Sequence, residues 1–323
     1  YSNSQDGDVP PTKGYHDNWI IKVDASGALI WKKSFGYSGH DHAYNVIPTK
    51  DGGYFFNGFL DVTASNGEGN SGKSSKANRH GVGEFWCHKI DSNGNIEWQR
   101  YFGGTNNDRS YDAIQTKEGN FLVVGTSESE DVDVKKPKGS YDVWVVMVSP
   151  SGEMLWENSY GGSLVDEASK VIEDSYGNFR IIGNTHSEDI DVVNPRGSSD
   201  IWQITLDKSG RLIGSYNFGG SGFDLGTSIS EGQCGSLFIS GYSRSLDGNL
   251  NSNNGENDLF LIYLPTDGSN VKTITLGGEE NDFAYDVLVQ RNGGVILVGQ
   301  SFSKNPPFDQ NNGESDIIVA RWR

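Results

Sequence analysis

Sulfur-containing residues are scarce in this chain of 323 residues, which has two cysteines and two methionines. So few cysteines exclude a small fold that is held together by a framework of disulfides. Cys87 and Cys234 fall at different positions of the internal repeat described below, so we expect both thiols to be unpaired. A low cysteine content also fits an extracellular or periplasmic protein.

Long apolar runs and clusters of basic residues are missing as well. No stretch of about 18 apolar residues occurs, which excludes a transmembrane helix. The 26 Lys and Arg residues are outnumbered by 43 Asp and Glu residues, and the net charge is −17. Because nucleic-acid backbones are bound by clustered basic side chains, we expect no nucleic-acid partner.

Glycine and aromatic residues are abundant, with 43 glycines and an aromatic content of 11%. Gly, Asn, Asp and Ser favour turns, whereas Trp, Tyr, Phe, Ile and Val favour strands. No segment shows the sustained 3.6-residue periodicity of an amphipathic helix. The composition therefore predicts an all-β fold.

An internal repeat of 58 residues organises the chain. Glycines recur at this spacing after one longer step of 67 residues, at Gly58, Gly125, Gly183, Gly241 and Gly299. Acidic residues before a strand-like segment follow the same steps, at Asp17, Glu84, Asp142, Asp200, Asp258 and Asp316. The longer step indicates a nine-residue insertion between Gly58 and Glu84. Its polar segment, residues 65–78, predicts a flexible excursion.

Each repeat contains four strand-like pieces separated by Gly and Asn turns, and in one complete copy they are residues 108–116, 121–125, 142–148 and 154–160. The third piece alternates, for example with Trp202, Ile204 and Leu206 on one face, which predicts a sheet with one well-buried face. Stacking such four-stranded antiparallel sheets against their neighbours would cover their apolar faces. The pattern therefore predicts a β-propeller.

The number of blades follows from counting the pieces. The third piece occurs six times and the others occur in full five times each. This count favours six blades with an incomplete first and last blade, while five blades or seven and more remain alternatives. We expect one propeller domain over residues 1–323, and the two ends resemble cuts through a longer array.

Tryptophans occupy two positions of the repeat. One set follows the turn after the third piece, at Trp31, Trp98 and Trp156, and the other lies within the third piece, at Trp19, Trp86, Trp144 and Trp202. We expect these side chains to pack between blades, with each indole N–H donating to an oxygen. The alternative is a set of sugar-stacking platforms, which would need exposed loops.

Identical aspartates follow the Gly-Gly element of each repeat, at Asp41, Asp108, Asp166, Asp224 and Asp282. A carboxylate at the same place in every blade is typical of a turn cap or of a bond between blades. Catalysis needs differentiated groups with separated pKa values, so identical aspartates argue against an active site.

The loop after the second strand of several repeats carries an Asp-x-Asp pattern. Paired carboxylates offer the hard oxygen ligands that Ca²⁺ prefers, although the third acid and the bidentate Glu of a full EF-hand loop are missing. Asp and Asn also form simple Asx turns, which is the favoured interpretation. The candidate calcium ligands are Asp6, Asp8, Asp131, Asp133, Asp189, Asp191, Asp247 and Asn249. No other cofactor is expected.

Catalytic motifs are otherwise absent, including the Gly-x-Ser-x-Gly elbow, the P-loop and His-Glu-x-x-His. His40 and His42 flank an aspartate and suggest a metal site, but their counterparts in the next repeat are Asn107 and Arg109. This hypothesis is weak on sequence alone.

The repeat resembles that of secreted β-propeller proteins of Bacteroidota and some methanogenic archaea. The string Ser-x-Asp-Gly-Asp-Val, then Gly-x-x-Asp-x-Trp-Ile-Ile-Lys-Val-Asp-x-x-Gly-x-x-x-Trp, then Gly-Gly-x-x-x-Asp-x-Ala begins at residues 4–31 and returns at residues 129–156 and from Ser187 onward. The resemblance implies a secreted or outer cell-surface protein, often exported by the type IX secretion system and attached to other domains. The Asp-x-x-Gly-x-x-x-Trp element is also similar to the tryptophan motif of quinoprotein dehydrogenases, whose vicinal Cys pair is missing here.

Two classes of function follow. The first is a non-catalytic module that binds protein or glycan at the cell surface, as in adhesion, or that serves as a scaffold for appended domains. The second is a carbohydrate-active enzyme of the hydrolase or lyase type with a site at one end of the propeller channel. We favour the first because the repeats are nearly identical. The departing segments, residues 65–78 with His80 and the Pro306-Pro307-Phe308 loop, are where an active site would be sought.

Overall fold

The computed structural model describes residues 2–4, 7–71, 79–266, 269, 271–308, 311 and 313–322. β-Strands and one short 3-10 helix, Gln233–Gly235, make up the regular secondary structure of the described residues, and turns and loops connect them. No described helix has the length and apolar character needed to cross a membrane. The chain divides into two compact units, residues 1–160 and residues 161–323.

The first unit contains three antiparallel sheets in which strands adjacent in sequence are neighbours. Its first sheet has two strands, β1 (Asn18–Val23) and β2 (Leu29–Phe35). Its second sheet has four, β3 (His42–Pro48), β4 (Tyr54–Leu60), β5 (Glu84–Ile90) and β6 (Ile96–Phe102). Its third sheet has β7 (Asp108–Gln115), β8 (Phe121–Ser127), β9 (Asp142–Val148) and β10 (Met154–Tyr160).

The second unit repeats this arrangement in three further sheets. The first comprises β11 (Asp166–Glu173), β12 (Phe179–Thr185), β13 (Asp200–Leu206) and β14 (Leu212–Phe218). The second comprises β15 (Asp224–Glu231), β16 (Leu237–Ser243), β17 (Asp258–Leu264) and β18 (Lys272–Leu276). The third comprises β19 (Asp282–Val289), β20 (Val295–Ser301) and β21 (Asp316–Trp322).

The predicted all-β architecture of propeller-type blades is confirmed at the level of the sheets. The described residues contain six antiparallel sheets, of which the first has two strands and the last three. Ser2 forms an isolated bridge with Asp17, in the place where Ser243 pairs with Asp258 in a complete sheet. The start of the chain therefore occupies the end of a second strand, as the repeat predicts. The extent of one domain over residues 1–323 stays a prediction.

Tight turns join the third and fourth strands in the way the repeat predicts. In one such turn Asp91 Oδ1 accepts the backbone N–H groups of Asn93 and Asn95, both at 2.8 Å. Gly94 in the same turn has a φ of 75°, which glycine adopts without a steric penalty. Asp24 and Asp207 make the same pair of bonds in their turns.

Every first strand has an irregular register with its second strand at the same place. The cross-strand register skips one residue there, which defines a β-bulge, and the skipped residue is Tyr44, Tyr111, Ser169, Thr227 or Tyr285. The repeated glycine of the second strand lies opposite the residue just before the bulge. At Gly183, for example, an added Cβ would meet the carbonyl oxygen of Glu167 well inside the 3.0 Å below which such contacts do not occur. This close approach explains why the repeat requires glycine there.

The core consists of aromatic and aliphatic side chains from neighbouring sheets. In the first unit Phe55 and Phe121 stack with their ring centres 4.3 Å apart, and Phe85 contacts Trp144 edge-on. Third strands are buried on both faces in most complete sheets, so the expectation of one buried and one mixed face was too narrow. The physical reason is visible at the second sheet, where Phe35 of the first sheet packs on one face and Trp144 of the third sheet packs on the other.

Candidate functional site

A buried aspartate begins, or directly precedes, the first strand of five sheets. One of its carboxylate oxygens accepts the backbone N–H of the residue four positions earlier, at 2.6–2.8 Å, in the pairs Tyr37–Asp41, Gly104–Asp108, Gly162–Asp166, Gly220–Asp224 and Gly278–Asp282. In four sheets the same oxygen accepts a serine hydroxyl at 2.8–2.9 Å, from Ser129, Ser187, Ser245 or Ser303. The predicted turn-capping role of these aspartates is confirmed.

The Asp-x-Asp loops lie against the same Gly-Gly turns. The first aspartate of each pair accepts a backbone N–H through Oδ1 at 2.6–2.9 Å, in the pairs Thr105–Asp131, Ser163–Asp189 and Ser221–Asp247. The second aspartate contacts the first glycine of the turn, where Oδ2 of Asp133 and of Asp191 accepts a backbone N–H at 3.3 Å. Asn305 caps the turn in the last sheet, although its loop departs from the sequence pattern.

The remaining candidate calcium ligands have different environments. Asp8 is exposed, and its carboxylate lies 3.9 Å from the ammonium nitrogen of Lys32. Asn249 donates its backbone N–H to the carbonyl oxygen of Gly219 at 2.9 Å. Asp6 lies outside the described residues. Calcium binding by these loops stays a prediction, because backbone groups already occupy part of each carboxylate.

Four positions around each buried aspartate carry a different set of side chains in each of the five sheets, and together we call them the variable rim. They are the residues before and after the aspartate, the bulged residue of the first strand, and the second-strand partner of the residue after the aspartate. In the first unit they are His40, His42, Tyr44 and Phe59, and Asn107, Arg109, Tyr111 and Thr126. In the second unit they are Val165, Glu167, Ser169 and Asn184, then Phe223, Leu225, Thr227 and Tyr242, and Asn281, Phe283, Tyr285 and Gln300.

The variable rim of the first unit combines aromatic rings with one cation. The Arg109 guanidinium lies 5.4 Å from the centre of the Phe59 ring, and the His42 ring contacts Phe59 edge-on. Tyr44 and Tyr111, the bulged residues of neighbouring sheets, have ring centres 5.5 Å apart. Burial and the nearby imidazole of His16 lower the pKa of His42 to about 4. His42 is therefore uncharged at neutral pH.

Four of the twelve rim residues of the second unit are aromatic, and they lie together with Phe302 in its last two sheets. Tyr242 lies between Phe223 and Phe283, with ring centres 6.4 Å and 4.8 Å away. Phe283 also contacts Tyr285 and Phe302, at 6.4 Å and 6.3 Å. These five residues are half-buried or exposed, and Tyr285 is 52% exposed to solvent. They form a continuous aromatic surface that is open to solvent.

Carboxylates from neighbouring sheets face each other across the first glycine of the turn. Burial raises the pKa of Asp108 to about 6 and raises that of the facing Glu84. Burial likewise raises the pKa of Asp258 to about 6, and the charge of Asp282 adds to this effect. The same pairing therefore recurs in both units, which is typical of a structural element of the repeat.

Glu84 is the one member of this series in the described residues that is not aspartate, and a histidine accompanies it. His80 Nδ1 lies 3.0 Å from Glu84 Oε2, and both side chains are almost fully buried. Gly81 donates its backbone N–H to the other carboxylate oxygen at 2.9 Å. The longer Glu side chain is thus accommodated within the segment that follows the insertion.

The tryptophans described below occupy packing positions, as expected, but the expected indole hydrogen bond is missing at Trp19, whose buried Nε1 has no partner among the described residues. Trp31 Nε1 donates to the carbonyl oxygen of Ser92 at 3.1 Å, and Trp98 Nε1 donates to that of Pro150 at 2.8 Å. Each acceptor lies in a turn of the following sheet. Trp86, Trp144 and Trp202 are fully buried within third strands, where no sugar could stack on them.

The departing segments are partly described. Residues 65–71 pack on the second sheet, where Trp86 Nε1 donates to the carbonyl oxygen of Gly69 at 3.3 Å, and residues 72–78 lie outside the described residues. The loop containing Pro307 and Phe308 lines a cavity of about 440 Å³ beside β21. Ile317 and Val319 form part of its wall. Asp316 is the one ionisable residue among the described lining residues, so these residues contain no pair of ionisable groups.

The variable rim was missed in the sequence analysis, which concentrated on what the repeats share. The available signal was the complementary one, since the pair of residues on either side of each repeated aspartate is different in every copy. Cross-strand pairing and the bulge then decide which of these side chains meet. Neither could be read from the spacing alone.

Two rim histidines of the first unit, His40 and His42, also meet a third histidine, His16. Each of His16, His40 and His42 offers one ring nitrogen, and the three nitrogens lie within 4.8 Å of one another. In the part of the chain that the structure describes, no other group of three His, Cys, Asp or Glu residues has this geometry. The sequence indicated His40 and His42 but not His16.

Comparisons with known proteins give distant relationships. No family model matches the chain. The regulatory protein FlaEY of Caulobacter vibrioides is 24% identical over 96% of this chain, which spans 35% of that relative. Among solved structures, an apocarotenoid oxygenase mutant of Synechocystis is similar over 93% of this chain and 64% of its own, with 11% identity and a TM-score of 0.48. A xylan β-1,4-xylosidase from Bacillus halodurans is similar over 80% of this chain and 49% of its own, with 11% identity and a TM-score of 0.39.

Proposed function

We propose that this chain is a non-catalytic binding module that recognises a glycan or a protein segment through its variable rim. The observation that carries the proposal is the contrast between repeated and varied positions. The buried aspartate and the glycine of each sheet are the same, whereas the set of four side chains around them is different in each sheet, although Tyr recurs at the bulge in three sheets and Asn before the aspartate in two. A scaffold that is repeated and a surface that varies are what specific recognition requires.

The chemistry of the rim fits such a ligand. Tyr242, Phe283 and Tyr285 present ring faces and edges on which a pyranose ring or an apolar side chain can pack. Aromatic residues and arginine are the types that contribute most to binding interfaces. The acidic surface, with a net charge of −17, opposes binding of anionic polymers and favours neutral or basic ligands.

The arrangement of acids supports a non-catalytic role over a carbohydrate-active enzyme. Glycoside hydrolysis uses two carboxyl groups with different environments. Here the facing carboxylates, such as Asp258 and Asp282, recur in several sheets and bind backbone amides. Contacts that repeat in this way from sheet to sheet are typical of a structural role, and they do not set one pair of carboxyl groups apart as an acid and a base.

Secretion or an outer cell-surface location, and appended domains in a longer protein, belong to the same proposal. The repeat resemblance to secreted proteins supports the location. The relative in Caulobacter is about three times as long as the region matched here, which supports the presence of further domains.

The test is a binding screen of the chain against a glycan array and a displayed peptide library. The variants Tyr242→Ala and Tyr285→Ala should each lower the affinity for any ligand found by about tenfold or more. Truncation of an aromatic anchor typically costs above about 1 kcal/mol of binding free energy. The matched control is Tyr176→Ala, because Tyr176 is an exposed tyrosine in the β11–β12 turn of the same unit.

Equal loss of binding in the control, or unchanged binding in both rim variants, would contradict the role of the rim. Polysaccharides that bind should also be incubated with the chain and analysed for shorter products. Cleavage that depends on a single acid, for example Glu84, would favour the enzymatic alternative.

A further inference from the structure

Three imidazoles of the first unit converge at the junction of its first two sheets. His16 Nδ1 and His40 Nδ1 lie 2.8 Å apart. One ring nitrogen from each of His16, His40 and His42 lies within 4.8 Å of the other two. The ring centres of His16 and His42 are 5.9 Å apart. The group combines one residue that precedes β1 with two residues at the start of β3.

The repeat explains why these side chains meet. His16 and His40 form an isolated parallel bridge, and Asp41 donates its backbone N–H to the carbonyl oxygen of His16 at 2.9 Å. Ser199 and Phe223 form the equivalent bridge in the second unit. The backbone therefore brings the residue before a third-strand aspartate next to a rim residue at each such junction, and here both are histidines.

An equivalent junction shows that side chains at these two positions interact directly. Asn257 and Asn281 occupy the places of His16 and His40, and Asn257 Nδ2 donates to Asn281 Oδ1 at 2.6 Å. The geometry of the first junction is thus a regular feature of the fold. The identity of the residues alone gives it metal-binding chemistry.

We propose that His16, His40 and His42 bind one divalent transition-metal ion, with Zn²⁺ as the expected metal. Neutral imidazole is a preferred ligand of zinc, and three histidines with one open position form a known coordination type. Zinc–nitrogen bonds of about 2.0–2.1 Å place tetrahedral ligands roughly 3.4 Å apart, so nitrogens within 4.8 Å need only small side-chain movements.

The surroundings allow these movements and orient the rings. The His40 side chain is exposed and stacks on Tyr15, with ring centres 5.2 Å apart. His42 is held by edge contacts to Tyr44 and Phe59. Asp41 is turned away to cap the backbone N–H of Tyr37, so the site consists of nitrogen ligands. Bound zinc would connect the first sheet to the second.

The experiment uses the full chain without an affinity tag, stripped of metal with EDTA and dialysed. Titration with Zn²⁺ is followed by calorimetry, and Co²⁺ is used as a spectroscopic substitute. We expect one metal ion per chain, a visible Co²⁺ spectrum typical of nitrogen ligation, and a rise in melting temperature with about 100 µM Zn²⁺.

Variants assign the ligands. His16→Ala and His40→Ala should each weaken zinc binding by about tenfold or more and abolish the melting shift, because two imidazoles hold the ion much less firmly than three. His186→Ala is the matched control, since this histidine lies in the second unit and bonds the carbonyl oxygen of Ser198. It should bind zinc as the parent chain does.

His40 is the decisive position, because its exposed side chain can be removed without disturbing the core. Folded His40→Ala protein that binds zinc as tightly as the parent would overturn the proposal. So would a parent chain that takes up no stoichiometric zinc, or a Co²⁺ spectrum that is unchanged in both variants. Since the test reports metal uptake, it is independent of whether the rim binds a glycan or a protein.

Discussion

At the scale of the residue, the buried carboxyl group of Asp108 links packing to pH. It accepts the backbone N–H of Gly104 and the hydroxyl of Ser129, and burial raises its pKa to about 6 from the ordinary 3.8. The folded chain therefore holds this proton more tightly than the unfolded chain does. The stabilisation is fully present below pH 3.8 and is lost as the pH rises through about 6.

The variant Asp108→Asn removes this titration while keeping an acceptor oxygen for Gly104. We expect the free energy of unfolding of the parent to decrease more steeply between pH 4 and pH 6 than that of the variant, by a slope equivalent to about one proton. Urea unfolding at several pH values measures it. Asp51→Asn is the control, because the bonds of Asp51 to Lys89 and Thr49 lower its pKa to about 2. Equal slopes for Asp108→Asn and the parent would contradict the prediction.

At the scale of the structural element, the glycine opposite each bulge permits the first strand to display its rim residues. Gly183 on β12 pairs with Ala168 on β11, and the bulged Ser169 follows. A side chain at Gly183 would press against the carbonyl oxygen of Glu167, a rim residue. The local backbone must then move or the sheet must lose its register.

Gly183→Ala should therefore destabilise the chain by about 1–3 kcal/mol, the usual cost of inserting a methyl group where there is no space. Gly313→Ala is the matched control in the same unit, because no atom lies within 4 Å of its added Cβ. Chemical unfolding of both variants provides the measurement. A Gly183→Ala chain as stable as the control would show that the bulge tolerates a side chain.

The strands and turns could be predicted because the sequence pattern of each one occurs five or six times along the chain. Asp91 and Gly94, for instance, occupy a turn whose hydrogen bonds are local, so their roles follow from the residues themselves. The repeated aspartates could likewise be assigned to turn capping. Local hydrogen bonds and repetition are the two conditions under which this sequence was sufficient.

The candidate site depended on contacts that the sequence does not encode locally. His16 and His40 meet through a bridge between two sheets, 24 residues apart, and Tyr44 and Tyr111 meet across a junction 67 residues apart. The burial of third strands on both faces has the same origin. Such contacts depend on how neighbouring sheets align, which spacing within one repeat does not reveal.

At the scale of the whole molecule, a ligand that binds weakly at several repeats raises the free energy of unfolding by the sum of its contributions at each site. Three loops, two with the Asp-x-Asp pattern at Asp131 and Asp189 and one with Asp-x-Asn at Asp247, place a carboxylate on equivalent turns. Since one carboxylate oxygen of each already accepts a backbone N–H, only part of a Ca²⁺ coordination sphere remains. Calcium affinity should then be in the millimolar range, as in extracellular modules.

Melting in about 10 mM Ca²⁺ and in EDTA tests this prediction. With dissociation constants of about 1 mM, each loop would add about 1.4 kcal/mol, and the melting temperature should rise. Asp131→Asn keeps the cap on Thr105 but removes a charge, so it should lower the calcium-dependent rise without changing the EDTA value. Asp207→Asn, in a turn outside these loops, should leave the rise unchanged. If Ca²⁺ produces no shift in the parent chain, the loops are turn caps only, because an ion that binds only the folded state must stabilise it.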